Sequence, residues 1–321
     1  MSLLVVGSIA YDSIKTPHGE VSHALGGSAV YFSLAASLFA PVRLVGVVGD
    51  DFAADDIAFL KRPSIDVSGL ELVAGGRTFR WSGEYSADMN SRQTLSVELN
   101  VFEDFQPKIP PDFRDSRFVF LANGSPVTQM SVLDQVDKPD FVMADTMDLW
   151  IQTQHADLLK LLQRVDGILV NDSEAILLTD RHNVIEAGKA ILELGPSRVV
   201  IKKGEHGAIL FDRDQIVPLP AYPVPAVRDP TGAGDSFAGA LMGYIARSFT
   251  QASTRASTST QGASDERAGT SIDPRAFKVA LAHGTVAASF TVEDFGVRCI
   301  AEIKESEALG RYEKYREFLS L

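Results

Sequence analysis

One cysteine, Cys299, is all that the 321 residues contain. No internal disulfide can form, and metal sites built on clustered cysteines are excluded. Positive charge is also scarce: 30 Lys and Arg stand against 42 Asp and Glu, a net charge of −12 with a pI near 5.0. A chain of that sign does not suit nucleic acid or an anionic membrane as partner. Any phosphate it handles must be met locally, by backbone N–H groups, single cations or a metal. No apolar run approaches the ~18 residues that span a bilayer. The opening "MSLLVVGSIAYDS" lacks the basic region and small-residue cleavage site of a signal peptide. A soluble, reducing, cytoplasmic setting is expected.

What is present is the material of a core. The hydrophobic fraction is 45% and the charged fraction 22%, which argues against wholesale disorder. The length suits one large α/β domain, or one with an appended subdomain. Short buried-strand runs such as "LLVV", "VRLVGVVG", "RFVFLAN", "DFVMAD", "VDGILVND", "RVVIKKG" and "GAILF" recur between helical stretches at 129–137, 149–164, 173–178 and 184–194. That alternation predicts a mostly parallel sheet covered on both faces. Ligands bind such sheets at the carboxyl ends of the strands, where Asp12, Asn123, Asp145, Asn171 and Gly204 fall.

Two segments differ in texture. Residues 75–105 run in short polar alternations rich in Thr, Arg, Trp, Tyr and Val, which predicts a small β-flap. Residues 247–274 are low-complexity Ser, Thr and Ala, which predicts a mobile loop between two helices. No internal repeat is present.

The most informative stretch is "RDPTGAGDSFAGA", 228–240. Gly232 and Gly234 allow a turn whose N–H groups converge at a helix N-terminus, an anion site by geometry and dipole. Asp235 follows in the first helical turn, where a carboxylate can simply cap the helix. No Lys-Ser/Thr follows the glycines, so this is not a Walker A loop. Transferring charge would be met by N–H groups and metal, and the acid is free to accept a proton from an attacking hydroxyl.

"DPTGAGDSFAGA" closely resembles the C-terminal signature of the PfkB, or ribokinase-like, family of carbohydrate kinases, and the resemblance extends over nearly the whole chain. It implies an α/β ribokinase-like fold: a mostly parallel central sheet, helices on both faces, and a small β-lid formed mainly by 75–105. It implies Asp235 as base, with the N–H groups of Gly232, Ala233 and Gly234 as anion hole. "LGGSAVYFSLAAS" resembles the N-terminal signature, which sets Gly26, Gly27 and Asp12 against the acceptor. Where many members carry an amide that reads sugar hydroxyls, this chain has Tyr31. Asn123 is a further acceptor-side candidate. Of the lid residues Arg80, Trp81, Glu84, Tyr85, Asn90 and Arg92, about half can face inward, Arg80 and Trp81 among the candidates.

"VNDSE" resembles the family's Asn-x-x-Glu element, which would place Asn171 and Glu174 near Mg²⁺ through water. By itself the string equally describes a helix N-cap with its acid at N3. Lys202, Gly204 and Gly207 match the strand-turn-strand that approaches ATP. Thr231 is expected near the nucleotide and His283 against its base. Asp229 lies where the family binds a monovalent cation, K⁺. The resemblance thus implies an ATP- and Mg²⁺-dependent kinase for a hydroxyl of a sugar-like small molecule, with a homodimer through the lid in keeping with it. A nucleoside kinase and a cyclitol (inositol) kinase are the alternatives within the class, and a non-catalytic sugar sensor the alternative outside it. "VVGSIAYDS" lacks the Gly-x-Gly-x-x-Gly spacing of a dinucleotide dehydrogenase.

Overall fold

The computed structural model describes residues 2–258 and 272–320. The run "LLVV", too short and continuous for an amphipathic helix, becomes the buried strand β1 (Leu3–Val6). After Gly7 and Ser8 the chain leaves that sheet for a hairpin, β2 (Ala10–Thr16) and β3 (Gly19–Gly26), and then enters α1 (Ser28–Ala36). β4 (Val42–Gly49), α2 (Ala54–Leu60) and β5 (Ile65–Val73) follow, and β6 (Phe79–Tyr85) with β7 (Arg92–Glu98) forms a second hairpin. Alternation then takes over: β8 (Phe118–Leu121), α3 (Pro126–Leu133), β9 (Phe141–Asp145), α4 (Asp148–Thr153), α5 (His155–Leu162), β10 (Gly167–Asn171), α6 (Asp172–Thr179), α7 (Val184–Glu193) and β11 (Arg198–Lys202). β12 (Ala208–Asp212) and β13 (Ile216–Leu219) precede four helices, α8 (Ala233–Thr258), α9 (Pro274–Thr291), α10 (Arg298–Glu302) and α11 (Glu305–Leu319).

The central sheet has the order β13-β12-β11-β10-β9-β8-β1-β4-β5. Its strands are parallel from β11 to β5, and β12 and β13 close one edge antiparallel. Period-two alternation divides the core. Leu3, Val5, Leu44, Phe118 and Phe120 pack with α1, α8 and α9, while Leu4, Val6, Val45, Val119 and Leu121 pack with α3, α5 and α7 on the other face. Both faces are covered, as the strand pattern predicts. No helix among the described residues is long and apolar enough to cross a membrane.

A second sheet, β3-β2-β6-β7, is separate from the first. Residues 75–105 supply only half of it; the other half is β2 and β3. Asp12 is therefore not beyond a strand but inside one, paired between Ala24 of β3 and Trp81 of β6. The segment expected to loop at 247–274 begins as helix, since α8 runs to Thr258, and residues 259–271 lie outside the described residues.

Small residues after Asp235 let α8 meet α1 at backbone contact. A Cβ at Gly239 would overlap the carbonyl oxygen of Phe32, and one at Gly243 would lie 2.7 Å from that of Ala36. Each obstacle is backbone and cannot swing aside. Gly239→Ala is therefore expected to destabilise the fold by ~1–3 kcal/mol through overpacking, lowering Tm by roughly 2–5 °C in a thermal melt. An unchanged Tm would show that α1 and α8 are not held this closely.

Candidate active site

α8 starts where the glycine turn ends. Gly232 has φ 75°, a left-handed conformation that favours glycine. Space makes the same demand, because a Cβ there would overlap the Tyr31 ring. The first N–H groups of a helix have no carbonyl one turn earlier to receive them. Here the Ala233 N–H turns back to Pro230 O at 3.2 Å, which leaves the cradle to its glycine neighbours. Behind the turn lies Asp229, fully buried. Its two oxygens accept from the N–H groups of Thr231 and Gly296, each at 2.9 Å. It ties the turn to the segment after α9, and the Arg228 N–H adds a bond to Val292 O at 2.7 Å.

The Asp235 carboxyl sits part-buried at the start of α8. Burial, reinforced by the nearby charge of Asp145, raises its pKa to about 7 against the pull of Lys202 and Arg92. Asp12, 5% exposed, is also raised to about 7, by burial and by the charges of Asp229 and Asp235, with the Gly27 N–H opposing. The Gly-Gly pair makes room for it. A Cβ at Gly26 would overlap the Asp12 carboxylate, and one at Gly27 (φ 95°) would lie 2.5 Å from Ser8 O. Ser8 and Ser28 pin this turn to the end of β1, their hydroxyls 3.0 Å apart and the Ser28 N–H donating to Ser8 Oγ at 3.0 Å.

Tyr31 lies under this group. Its phenol is buried, its hydroxyl has no hydrogen-bond partner, and burial together with Asp12, Asp229 and Asp235 holds its pKa well above the ordinary value. Its ring is the floor on which Gly232 rests.

The signature motif carries no lysine, yet a lysine is there. Lys202, at the end of β11, reaches so far that a Cβ at Gly234 would lie 3.2 Å from its Nζ. The same Nζ pairs with Asp145 Oδ2 at 2.9 Å, two strands away at the end of β9. Burial works against the charged lysine, but Asp145 and Glu174 outweigh it and raise its pKa. Glu174 is raised to about 7 by burial, with Lys202 opposing. Asn171 and Glu174 form a complete capping box on α6: Asn171 Oδ1 accepts from the Glu174 N–H at 2.8 Å, and Glu174 Oε2 from the Asn171 N–H at 2.7 Å. The cap is thus real, and it also holds two oxygen-bearing side chains beside Lys202.

The second sheet presents one alternate set of side chains to this centre. The Thr231 hydroxyl donates to the Tyr85 hydroxyl at 3.2 Å. Arg92 lies over the Trp81 ring at 5.4 Å, and its charge reaches both Tyr85 and Asp235. Asn90 donates to Glu205 at 3.2 Å, joining the hairpin tip to the turn at Gly204. The other set faces away. Arg80 pairs with Asp51 at 2.8 Å and Glu84 with Lys15 at 2.8 Å, so both are directed away from the glycine turn.

Three further expected residues are not brought to the centre. His283 is sandwiched between Tyr244 (4.4 Å) and Tyr312 (4.1 Å), with Phe39 edge-on at 5.0 Å. Burial lowers its pKa to about 4, and it is a packing residue between α8, α9 and α11. Gly207 (φ 88°) answers a steric demand, since a Cβ there would overlap the Leu219 carbonyl. Asn123 accepts from Trp150 Nε1 at 3.1 Å in a neighbouring cavity. Asp145 and Arg92 carry no motif of their own; strand-end position and strand alternation were the signals that pointed to them.

Residues 2–298 match the family described as pfkB family carbohydrate kinase. A cytidine kinase of Thermococcus kodakarensis is 29% identical over 252 residues, covering 76% of this chain and 88% of that protein. The nucleoside kinase of Methanocaldococcus jannaschii superposes with a TM-score of 0.73 at 18% identity, covering 98% of both chains. A fructokinase double mutant of Vibrio cholerae, solved with fructose, ADP and potassium ion, gives 0.73 at 17% identity over 97% of this chain and 98% of its own.

Because Asp12 and Asp235 have folded pKa values near 7 against about 4 when unfolded, the folded state holds more protons between those limits. Their contribution to stability therefore falls as pH rises from about 4 to about 7. Asp12→Asn, which keeps the shape and removes the buried charge, is expected to raise Tm at pH 8 by roughly 3–8 °C, with the gain vanishing at pH 4. A gain independent of pH would show that Asp12 is not held protonated.

Proposed function

The chain belongs to the pfkB family of carbohydrate kinases, and we propose that Asp235 is the base that takes the proton as a hydroxyl of a sugar or sugar-like acceptor attacks the γ-phosphoryl group of ATP. The observation that carries this reading is the meeting of Asp235, the Gly232–Gly234 turn and Lys202 Nζ at one helix N-terminus. A carboxylate raised to about 7 is matched to proton transfer near neutral pH. The N–H groups of Gly232 and Gly234 face the developing negative charge, and Lys202, part-buried and kept ionised by Asp145, adds a fixed cation. Asp12, held by the Gly26–Gly27 turn, orients the acceptor. Trp81, Tyr85 and Arg92 cover the site from the second sheet, which acts as the lid.

Among the described residues no three His, Cys, Asp or Glu side chains converge as a metal site. Mg²⁺ keeps several waters and binds largely through substrate phosphates, and Asn171 and Glu174, held together by the capping box, would be its outer oxygen ligands. When bound it neutralises phosphate charge. Both Asp229 oxygens are occupied by backbone N–H groups, so K⁺ would rest on carbonyl oxygens of 229–231 and 292–296; turnover higher in potassium than in tetramethylammonium chloride would support it. β7 is exposed along its whole length, with Leu95 53% and Val97 51% exposed, an edge suited to pairing with a second copy of the chain. Light scattering that finds only monomer would remove that dimer. The setting we assign is cytoplasmic.

Asp235→Asn is expected to lower turnover by about 10²–10⁴ in an ADP-release assay with ATP affinity unchanged. Near-normal turnover would remove Asp235 from its role. Lys202→Met is expected to cost about 10²–10³ with folding retained at neutral pH.

A further inference from the structure

The turn that follows β4 grips the second sheet on two neighbouring strands. Asp51 Oδ1 accepts from both the N–H and the hydroxyl of Thr78, each at 2.7 Å, and Oδ2 accepts from Arg80 at 2.8 Å. Burial works against the charge on Asp51, but Arg80 and Thr78 outweigh it and hold the carboxyl below its ordinary pKa. Thr78 is fully buried one residue before β6, and its hydroxyl also accepts from the Gly49 N–H at 3.1 Å. On β2, the Tyr11 hydroxyl accepts from the Ala53 N–H at 2.9 Å and donates to Asp56 at 2.6 Å. Burial pushes its pKa up to about 12, so it stays a neutral donor near neutral pH. Its ring stacks on His23 at 3.9 Å and meets Phe52 of the turn at 5.4 Å.

The register of the sheet gives this grip a consequence. β2 and β6 pair in parallel, with Tyr11 opposite Arg80 and Asp12 opposite Trp81. Successive side chains of a strand point to opposite faces. The Tyr11–Arg80 row therefore turns to Asp51 and Asp56, while the next row, Asp12–Trp81, turns the other way. There Asp12 meets the Gly26–Gly27 turn, and the Trp81 ring lies over Gly83 with Arg92 5.4 Å from its centre. One peptide unit joins each member of the first row to its neighbour in the second, so the two rows shift together. At the other end of the sheet, Tyr85 meets Thr231 and Asn90 meets Glu205, both at 3.2 Å. Each of those bonds is longer than any made to Asp51.

We infer that Asp51 is a positioning residue for the acceptor: through Thr78 and Arg80, with Tyr11 beside them, it sets where Asp12 and Trp81 stand. It acts from the face of the second sheet that looks away from the glycine turn. This rests on the kinase reading above.

Two measurements test it, and one needs no substrate. The chain has two tryptophans, Trp81 and Trp150, so Trp150→Phe leaves Trp81 as the sole indole. In that background Asp51→Asn keeps an oxygen for Thr78 and removes the charge that holds Arg80. It is expected to raise acrylamide quenching of Trp81 at least about twofold as the sheet opens locally. Arg80→Met, which removes the partner instead, is expected to do the same. The second measurement is ADP release with ATP and whichever of cytidine, D-ribose, D-fructose and myo-inositol wild type uses best. Both variants are expected to raise the acceptor KM about tenfold while the ATP KM stays within about twofold of wild type. Neither KM depends on how much of a variant folds. Lys15→Ala, which breaks the exposed pair with Glu84 elsewhere on the sheet, is expected to change none of these. Unchanged Trp81 quenching, or an unchanged acceptor KM, would overturn the positioning role, as would acceptor and ATP KM rising in step. ADP release with none of the four acceptors would instead overturn the kinase reading, and the acceptor role with it, even where quenching shows that Asp51 holds the sheet.

Discussion

The arrangement depends on one ion pair, Lys202 with Asp145 at 2.9 Å. An acidic chain has gathered Asp12, Asp145, Glu174, Asp229 and Asp235 around the glycine turn and Lys202, all of them at least part-buried. Burial raises a carboxyl's pKa and neighbouring like charges add to it, and Asp12, Glu174 and Asp235 are all raised to about 7. Lys202 is the part-buried cation that limits this for Glu174 and Asp235. Asp145 keeps it charged and aims it at Gly234. A buried charge pair of this kind contributes little net stability; what it provides is a cation in a place where the signature motif has none.

Around that pair the glycines act by absence of volume. Gly26 leaves room for the Asp12 carboxylate, Gly232 for the Tyr31 ring, and Gly239 for the α1 backbone. Each brings a rigid group closer to α8 or to the acceptor turn than any side chain would permit. Rigidity here serves preorganisation, since a charge cradle that need not rearrange stabilises developing charge most effectively. Tyr31 fits the same logic. Where the family resemblance leads one to expect an amide among sugar hydroxyls, the phenol fills the space beneath the turn.

The second sheet stands beside the glycine turn. Alternation along β6 sends Arg80 and Glu84 to ion pairs outside the centre and turns Trp81 and Tyr85 inward. The hairpin tip then meets the turn at Gly204 through Asn90 and Glu205, so the second sheet touches both the glycine turn and the strand ends across from it.

Much of this was legible in order along the chain. The strand and helix periodicity, the glycine turn with its acid, the Gly-Gly pair and the Asn-x-x-Glu box are local patterns, and local backbone chemistry determines them. The family likeness followed from the same strings. What the sequence could not show depends on pairings between distant residues. That Lys202 lands on Gly234 requires the β9-β10-β11 order; that β2 and β3 belong to the second sheet requires the pairing of Ala10 with Phe79. His283 occupies the expected position on its helix yet meets Tyr244 and Tyr312, because the packing of α8, α9 and α11 sets which way that face turns. Sequence determined which chemical groups are available, through residue type and short-range spacing. Only the tertiary structure decided which of them share one buried, low-dielectric space, because that depends on strand order and helix packing between segments far apart in the chain.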